Sequence, residues 1–311
     1  MADLLEISNG VLRAQFRHKG AALHALYFEG CAHSIVFGGN DPAIYVAPQS
    51  YMGTIVGIVA NRIANAQFEL GEHTHHVNAN WRGHTLHGGH QGLSELEWEL
   101  RDHQPDAIIF AIKLADGHMG FPGPVDVTAS YRFIGNALEI DIQATPQQPS
   151  PINIAPHIYF NLDCGGTIAE HSLKVCAANY LPIDHDCIPT GSPATVDSTP
   201  FDFLNSKPIG NHPMDHNFCL DPSAMYALEY SNGKITMRMS TNQHGVQIYN
   251  GIHFDTLDFE DWRGEKWCFN SAIAIEPQGW PNAINETSFP STLVDAGETY
   301  QNISRFLFSK S

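Results

Sequence analysis

Strict alternation of apolar and polar side chains is the feature that most constrains the fold of this chain. In VDVTASYRFIGNALEIDIQA, residues 125–144, apolar residues recur at every second position on each side of Gly135-Asn136. A period of two places the apolar set on one face of a β-strand, and a pair such as glycine-asparagine is typical of a tight turn. The segment therefore predicts an antiparallel hairpin with one buried face.

Two further segments follow the same design. LEYSNGKITMRM, residues 228–239, has alternating halves around Asn232-Gly233, for which we expect a tight type I′ turn. Residues 96–100 (LEWEL) and 107–114 (AIIFAIKL) form another candidate strand pair. No long helical stripe of apolar residues is present, and 26 glycines and 19 prolines interrupt the chain. We therefore predict an all-β protein of packed antiparallel sheets, with residues 1–311 forming a single domain.

Composition limits the kinds of ligand that the chain is expected to bind and the compartment in which it is expected. The chain of 311 residues is 43% hydrophobic, typical of a globular protein, and no apolar run reaches the roughly 20 residues of a membrane span. Its formal charge of −17 disfavours nucleic acid and anionic lipid and favours a neutral or cationic small molecule. The start of the chain does not resemble a signal peptide, and the six cysteines are scattered. We therefore expect reduced thiols and a cytoplasmic location.

Histidine is abundant, with 18 copies in the chain. The densest clusters are HTHH (His73, His75, His76), HTLHGGH (His84, His87, His90) and HPMDHN (His212, Asp215, His216). A metal site is one possibility, since imidazole and carboxylate groups suit zinc, iron or manganese. In the first cluster, however, alternation would split the three rings between two faces, and GEHTHH is typical of an exposed hairpin tip. We expect no metal there.

Two loop segments carry polar groups that could contact a ligand. Gly88-Gly89 directly follows His87, and such a pair lets the backbone bend sharply and approach a ligand closely. An ordinary glycine turn is the alternative. Upstream, Asn61-Arg62 lies between apolar stretches. The guanidinium fork and the amide could together recognise two sugar hydroxyls or a carboxylate, or could form a structural ion pair.

His157 and Glu276 are ionisable residues in apolar surroundings. His157 lies in IAPHIYFNL, and Glu276 follows Ala274 and Ile275 at the end of a candidate strand. Burial disfavours a charge, so we expect the Glu276 carboxylate to be partly desolvated, with a pKa raised toward about 6. A lone strand-end glutamate more often protects a sheet edge, and the residue itself leaves that alternative open.

These segments occur in an order that resembles the aldose 1-epimerase family, the galactose mutarotases. The resemblance runs from about Gly20 to Phe306. It rests on NRI at 61–63, LHGG at 86–89, HIYFNL at 157–162, IPTG and TPFDF within 188–203, DHNF at 215–218, QIY at 247–249, and Glu276 with Gln278. The resemblance implies a large antiparallel β-supersandwich, which agrees with the periodicity.

The resemblance also implies a role for each candidate residue. His157 matches the general acid that protonates the sugar ring oxygen, and Glu276 matches the general base that takes the proton from the C1 hydroxyl. His87, which we also count as catalytic, and Arg62 match residues that hold the region of the ring oxygen. The remaining substrate contacts implied are Asn61, Tyr159, Asp215 and Gln247.

The chemistry of anomer exchange requires such an acid and base. Breaking the bond between C1 and the ring oxygen needs one proton donated to that oxygen and one removed from the C1 hydroxyl. No redox step occurs, so we expect no metal or nucleotide cofactor. The expected partner is a small sugar, bound by a monomer or homodimer. An epimerase of a sugar phosphate or other modified sugar, and a non-catalytic carbohydrate- or metal-binding protein, remain alternatives.

Overall fold

The structure is a computed structural model that describes residues 4–46 and 51–310. Its regular elements are β-strands, joined by loops and short 3₁₀ helices. The strands pair antiparallel in every sheet of the described residues. The predicted all-β class is therefore confirmed. Within those residues, no helix is long and apolar enough to cross a membrane.

The largest sheet has nine strands. In spatial order they are Lys207–Pro208, Ser172–Val175, Leu228–Ser231, Ile235–Thr241, Tyr300–Lys310, Ala137–Pro146, Val125–Ile134, Ala107–Leu114 and Glu99–Gln104. A second sheet has six strands in the order Ile158–Phe160, Ile273–Gln278, Gly245–Tyr249, Asp215–Cys219, Asn179–Tyr180 and Ala194–Thr195.

Smaller elements complete the described structure. A three-stranded sheet is formed by Leu5–Ser8, Leu12–Arg17 and Ala22–Phe28. The two-stranded sheets pair Ser150–Pro151 with Leu293–Val294, Ala155–Pro156 with Ile55–Val56, Arg62–Ile63 with Thr85–Leu86, and Gln67–Leu70 with His73–His76. The 3₁₀ helices are Pro42–Tyr45, Ala64–Ala66, Leu93–Glu95, His118–Gly120, Phe254–Thr256 and Ala283–Asn285.

The hairpin predicted from strict alternation forms as expected. Val125–Ile134 and Ala137–Pro146 pair in register over their full lengths, and the apolar residues of the first strand are buried while their neighbours are not. Two residues connect the strands, and Gly135 takes a φ of +58°. Glycine suits this position because it lacks the Cβ atom that makes positive φ unfavourable.

The other two strand predictions need correction. Leu228–Ser231 and Ile235–Thr241 do form a hairpin, but its loop has three residues, of which Gly233 has a φ of +81°. The Asn232 side chain accepts hydrogen bonds from the backbone N–H groups of Lys234 and Ile235, which favours this wider loop over the expected type I′ turn. The partner of Ala107–Leu114 is Glu99–Gln104, so the predicted partner at 96–100 is correct only at Glu99 and Leu100.

The two large sheets pack face to face around the main core. Phe160 of the six-stranded sheet contacts Phe306 and Phe308 of the nine-stranded sheet, with ring centroids 5.5 and 6.5 Å apart. Ile275 and Val246 point to the same core. Because successive residues of a strand point to opposite faces, the residues between them point away from the core. That outer face of the six-stranded sheet carries the candidate site.

Candidate active site

A cavity of about 290 Å³ opens against the outer face of the six-stranded sheet. Seven of the eight residues predicted from the sequence line it: Asn61, Arg62, His87, His157, Tyr159, Asp215 and Glu276. The eighth, Gln247, lies beside them and donates a hydrogen bond from Nε2 to Oδ1 of Asp215 over 2.6 Å. Segments far apart in the sequence therefore converge on one pocket.

Strand register explains the convergence on the sheet side. Gln247 pairs with Glu276 on one side and with Asn217 on the other, while Asp215 pairs with Tyr249. Side chains at paired positions and at every second residue share a face, so these five polar groups all point away from the core. Glu276 belongs to a strand with neighbours on both sides. The edge-protection alternative for this glutamate is therefore wrong.

His157 and Glu276 form a buried pair. Nε2 of His157 lies 3.4 Å from Oε1 of Glu276, and the two residues are 4% and 2% exposed. Backbone hydrogen bonds to Thr54 and Gly53 fix the histidine on both sides. Nδ1 of His157 and Oε2 of Glu276 have no hydrogen-bond partner within residues 4–46 and 51–310. Both residues thus keep bonding capacity that a ligand in the pocket could use.

Burial governs the protonation of this pair. Burial lowers the pKa of His157 to about 4, with only partial opposition from backbone hydrogen bonding and from Asp215. Burial also raises the pKa of Glu276 well above its ordinary value, and the nearby Asp215 charge adds to the rise while Arg62 opposes it. The order of the two pKa values is thus the reverse of that in water. Between these two values the pair holds one proton in total.

His87 is held by the loop that the glycines make possible. It adopts a φ of +50° and is followed by Gly88 at +85°, where an added Cβ would lie 2.0 Å from the carbonyl oxygen of Gly57. The backbone N–H of Asn61 donates to Nδ1 of His87 over 3.1 Å. In the neutral ring the proton therefore sits on Nε2. Burial, followed by the charges of His157 and Arg62, lowers the pKa of His87 well below its ordinary value.

The remaining predicted residues form a hydrogen-bonded group beside the pair. Arg62 is 7% exposed, and one of its terminal nitrogens lies 3.6 Å from Oδ2 of Asp215. Another donates to Oδ1 of Asn61 over 3.3 Å. Nε of Arg62 and Oε1 of Gln247 have no hydrogen-bond partner in the described part of the chain. Some polar atoms of this group therefore bond to one another, and others remain available to a ligand.

Aromatic side chains that the sequence reasoning did not select complete the pocket. Tyr51 packs against His87 and His157, with ring centroids 4.5 and 5.6 Å apart. Tyr249 lies two residues beyond Gln247, so strand alternation could have identified it as a lining residue. The other unselected aromatic lining residues are Trp81, Phe254 and Trp267. Nothing in their local sequence distinguishes them from core residues.

The histidine clusters seen in the sequence mostly separate in space. His73, His75 and His76 lie on an outer strand, where His75 stacks on Phe68. His216 packs on Phe201, and burial lowers its pKa to about 4. Within the described residues, a ring nitrogen of His87, one of His157 and a carboxylate oxygen of Glu276 all lie within 4.8 Å of one another. This spacing suits proton exchange and would also suit a metal ion.

Comparison with known proteins decides the family. The family model for aldose 1-epimerase matches residues 3–307. The chain belongs to the aldose 1-epimerase family. It is 34% identical to galactose mutarotase of Mus musculus over 296 residues, covering 90% of this chain and 85% of the relative. Identity to the Homo sapiens galactose mutarotase is 32% over 325 residues, covering 99% and 94% of the two chains.

Solved structures extend this likeness to the fold. An aldose epimerase homologue from C. elegans superposes with a TM-score of 0.92 at 28% identity, covering 99% of each chain. The galactose 1-epimerase of Lactobacillus acidophilus gives a TM-score of 0.87 at 23% identity, covering 98% of this chain and 94% of that one. The mutarotase-like supersandwich implied by the motif series is therefore confirmed, and the protein is an isomerase that interconverts anomers.

Proposed function

We propose that the protein interconverts the α and β anomers of an unphosphorylated aldohexose, galactose or glucose, with His157 as acid and Glu276 as base. The observation that carries this proposal is the 3.4 Å approach of His157 Nε2 to Glu276 Oε1 inside the pocket. Each residue also keeps a polar atom that has no partner among the described residues. Positioned proton transfer of this kind accelerates a reaction by roughly 10²- to 10⁴-fold per group.

The proton movements balance without a further reactant. His157 in its protonated form donates to the ring oxygen while ionised Glu276 accepts the C1 hydroxyl proton, so the C1–O5 bond breaks and an aldehyde forms. After rotation about C1–C2, the C5 hydroxyl attacks the other face of the aldehyde. His157 then takes back the C5 hydroxyl proton, and Glu276 returns its proton to the C1 oxygen. The pair begins and ends with one proton.

The single proton of the pair sets the working state. At pH values between the lowered pKa of His157 and the raised pKa of Glu276, the pair holds one proton. Transfer from the carboxyl group to the imidazole across 3.4 Å generates the reactive form. His87, whose neutral ring carries its proton on Nε2, supplies a donor near the ring oxygen without competing as an acid.

Asp215 suits a binding role better than a basic one. Its carboxylate already accepts a hydrogen bond from Gln247 and lies beside Arg62, and its side chain is 20% exposed. The Glu276 side chain is 2% exposed. Asp215, Arg62, Asn61 and Gln247 together present acceptors and donors for sugar hydroxyls.

The charge of the pocket favours a neutral sugar. Among its described lining residues Arg62 is the one permanent cation, and Asp215 lies beside it. A phosphate group would therefore lack a free cationic partner. The names of the mammalian relatives support galactose as one substrate.

One core cluster extending from Ile7 to Phe308 supports a single domain. The six free cysteines support action in the reducing cytoplasm.

A polarimetric mutarotation assay tests the proposal directly. We expect the purified protein to accelerate mutarotation of α-D-galactose or α-D-glucose, with little change in KM as ionic strength rises. The corresponding 6-phosphates serve as the comparison. A strong preference for a 6-phosphate that weakens steeply with salt, or no acceleration of any aldose in a panel, would contradict it.

A further inference from the structure

Two amide side chains near the catalytic carboxylate have no hydrogen-bond partner among the residues that the structure describes. Asn217 is 1% exposed and Gln278 is not exposed at all. The nitrogen and the oxygen of both amides lack a hydrogen bond. Native proteins satisfy nearly all such buried groups, either with protein atoms or with ordered water. Four unsatisfied atoms on two neighbouring side chains therefore indicate a bound ligand.

Both amides lie on the same sheet face as Glu276. Asn217, Gln247 and Glu276 occupy one row across three adjacent strands, because Gln247 pairs with each of the other two. Gln278 lies two residues beyond Glu276 and pairs with Gly245. Strand alternation keeps positions 276 and 278 on one face. Gln278 thus lies next to Glu276 along its strand, and Asn217 lies on the far side of Gln247 in the same row.

Gly245 brings the two amides toward each other. A Cβ at this glycine would lie 2.6 Å from Oδ1 and 2.8 Å from Nδ2 of Asn217. The Asn217 amide therefore lies over the glycine, which itself pairs with Gln278. The missing side chain leaves room for polar atoms at the centre of the sheet face.

An apolar cover separates this polar space from bulk solvent. A ring carbon of Trp280 lies 3.0 Å from the position of a Gly245 Cβ. Trp280 and Cys219 pack in turn against a small buried cluster of Leu181, Ala283 and Phe289. The described lining of the substrate pocket includes Glu276 but neither amide. Glu276 therefore borders the pocket, whereas the two buried amides lie outside its lining.

We infer that Asn217 and Gln278 hold ordered water against the side of Glu276 that faces Gln278 and Gly245. Through this water they act as positioning residues for the catalytic carboxylate. A buried water needs two to four polar partners. The two amide nitrogens can donate to it, and it can donate to Oε2 of Glu276 and Oε1 of Gln247, which also lack protein partners. Each carboxylate oxygen accepts about two hydrogen bonds, so Oε2 can still accept the sugar hydroxyl.

The inference rests on the proposed role of Glu276 as base. Water oriented by two amides donates to the carboxylate and so stabilises its ionised form, which the reaction needs. The other charged and titratable groups that face Glu276 are His87, His157, Arg62, Asp215, Tyr51, Tyr159 and Tyr249. Asn217 and Gln278 carry no charge, so their effect on the carboxylate comes through hydrogen bonding.

Gln278→Met tests the inference because it keeps the length of the side chain and removes the amide. We expect kcat at neutral pH to fall about 10-fold, with the basic limb of the kcat/KM profile about one pH unit higher and KM little changed. Gln278→Asn, which keeps an amide, should retain most of the rate. Ile142→Val, in the core strand Ala137–Pro146, is a control for lost stability and should leave the profile unmoved.

Two results would overturn the inference. One is a Gln278→Met enzyme whose kcat and basic limb match wild type while Glu276→Gln is inactive, since this leaves the base assigned and removes the water. The other is a high-resolution crystal structure of wild type in which the amides bond directly to protein and no water contacts Glu276 on this side. An active Glu276→Gln enzyme would instead overturn the proposed function itself.

Discussion

Two histidine–carboxylate pairs in this molecule, each with a buried histidine, differ in how fully their polar atoms are hydrogen-bonded. Nε2 of His171 lies 2.9 Å from Oδ2 of Asp163, and Nδ1 lies 2.6 Å from the hydroxyl of Tyr230. Asn232 donates to the other oxygen of Asp163 over 2.8 Å. The His157–Glu276 pair is longer, at 3.4 Å, and leaves Nδ1 of the histidine and Oε2 of the glutamate without partners.

The difference separates a structural pair from one built for a ligand. In the neutral His171 ring, Nδ1 accepts from Tyr230 and the Nε2 proton goes to Asp163, so both nitrogens are used. Burial lowers the pKa of His171 despite its carboxylate partner. For Asp163 burial acts to raise the pKa, but the hydrogen bond and charge of His171, the hydrogen bond from Asn232 and the charge of Lys234 together outweigh it, and the pKa is lowered. Between these two pairs, unsatisfied polar atoms rather than burial alone distinguish the one that lines the pocket.

The largest expected effect is loss of catalysis at the unsatisfied pair. Glu276→Gln keeps the shape but removes the base, and His157→Asn cannot release a proton. Each should lower kcat by about 10²-fold or more. Because the two residues act in one proton exchange, the double variant should lose far less than the product of the single losses. Polarimetric kinetics of the three variants measure this.

Two results would contradict the proposed roles of His157 and Glu276. If Glu276→Gln retained a near-wild-type kcat while Asp215→Asn abolished activity, Asp215 would become the candidate base. Fully multiplicative losses in the double variant would show that the two residues act in separate steps.

A smaller effect, on stability alone, is expected at the satisfied pair. His171→Phe leaves the buried Tyr230 hydroxyl and one Asp163 oxygen without their partner. This should lower the free energy of unfolding by about 1–3 kcal/mol. Urea unfolding measures the loss, and kcat of the folded variant should remain at the wild-type value. A selective fall in kcat with unchanged stability would show that the comparison between the two pairs is mistaken.

Much of the fold could be predicted from the sequence because the strands alternate strictly. The hairpin at 125–146 has one buried face, so its register follows from a period of two. The strand predicted at 96–100 is correct only at Glu99 and Leu100, because Leu96 and Trp98 are apolar for another reason. Trp98 is buried beside the core and donates from its indole nitrogen to the carbonyl of Leu93. Local pattern does not distinguish such packing from a strand.

The candidate site could be predicted in its residues but not in its electrostatics. The segments around His87, His157 and Glu276 are recognisable in the sequence, and the pocket brings them together. Burial is a property of the folded chain, so the reversed order of the His157 and Glu276 pKa values could not be read from unperturbed values. The same holds for the unpartnered amides of Asn217 and Gln278, which depend on strand register.

The reversed order predicts the shape of the pH profiles. Wild-type kcat/KM should be bell-shaped, falling below about pH 4, where His157 and Glu276 are both protonated, and falling again above the raised Glu276 pKa, where the pair loses its proton. Glu276→Gln should lose the acidic limb. Its residual rate needs protonated His157 and should fall as pH rises through about 4.

His157→Asn provides the opposite profile. Its residual rate needs ionised Glu276, so it should rise with pH only as the raised pKa of that carboxyl is passed. The falling limb of one variant then lies at lower pH than the rising limb of the other. Limbs in the ordinary order, near 6.5 for histidine and near 4.3 for glutamate, would show that the site is wetter than its burial indicates.

Chelation is expected to have the smallest effect. It tests whether the unpartnered atoms of His157 and Glu276 take part in proton transfer or in metal binding. His87, His157 and Glu276 could hold a metal ion, since their ligand atoms lie within 4.8 Å of one another. A metal bound to His157 and Glu276 would occupy the atoms that the proton exchange uses. We therefore expect kcat to be unchanged after treatment with EDTA and dialysis, and unchanged when zinc or manganese is added back. Activity that vanishes on chelation and returns with either metal would assign these atoms to a metal site. The difference between the His157–Glu276 pair and the satisfied His171–Asp163 pair would then reflect metal binding rather than proton transfer.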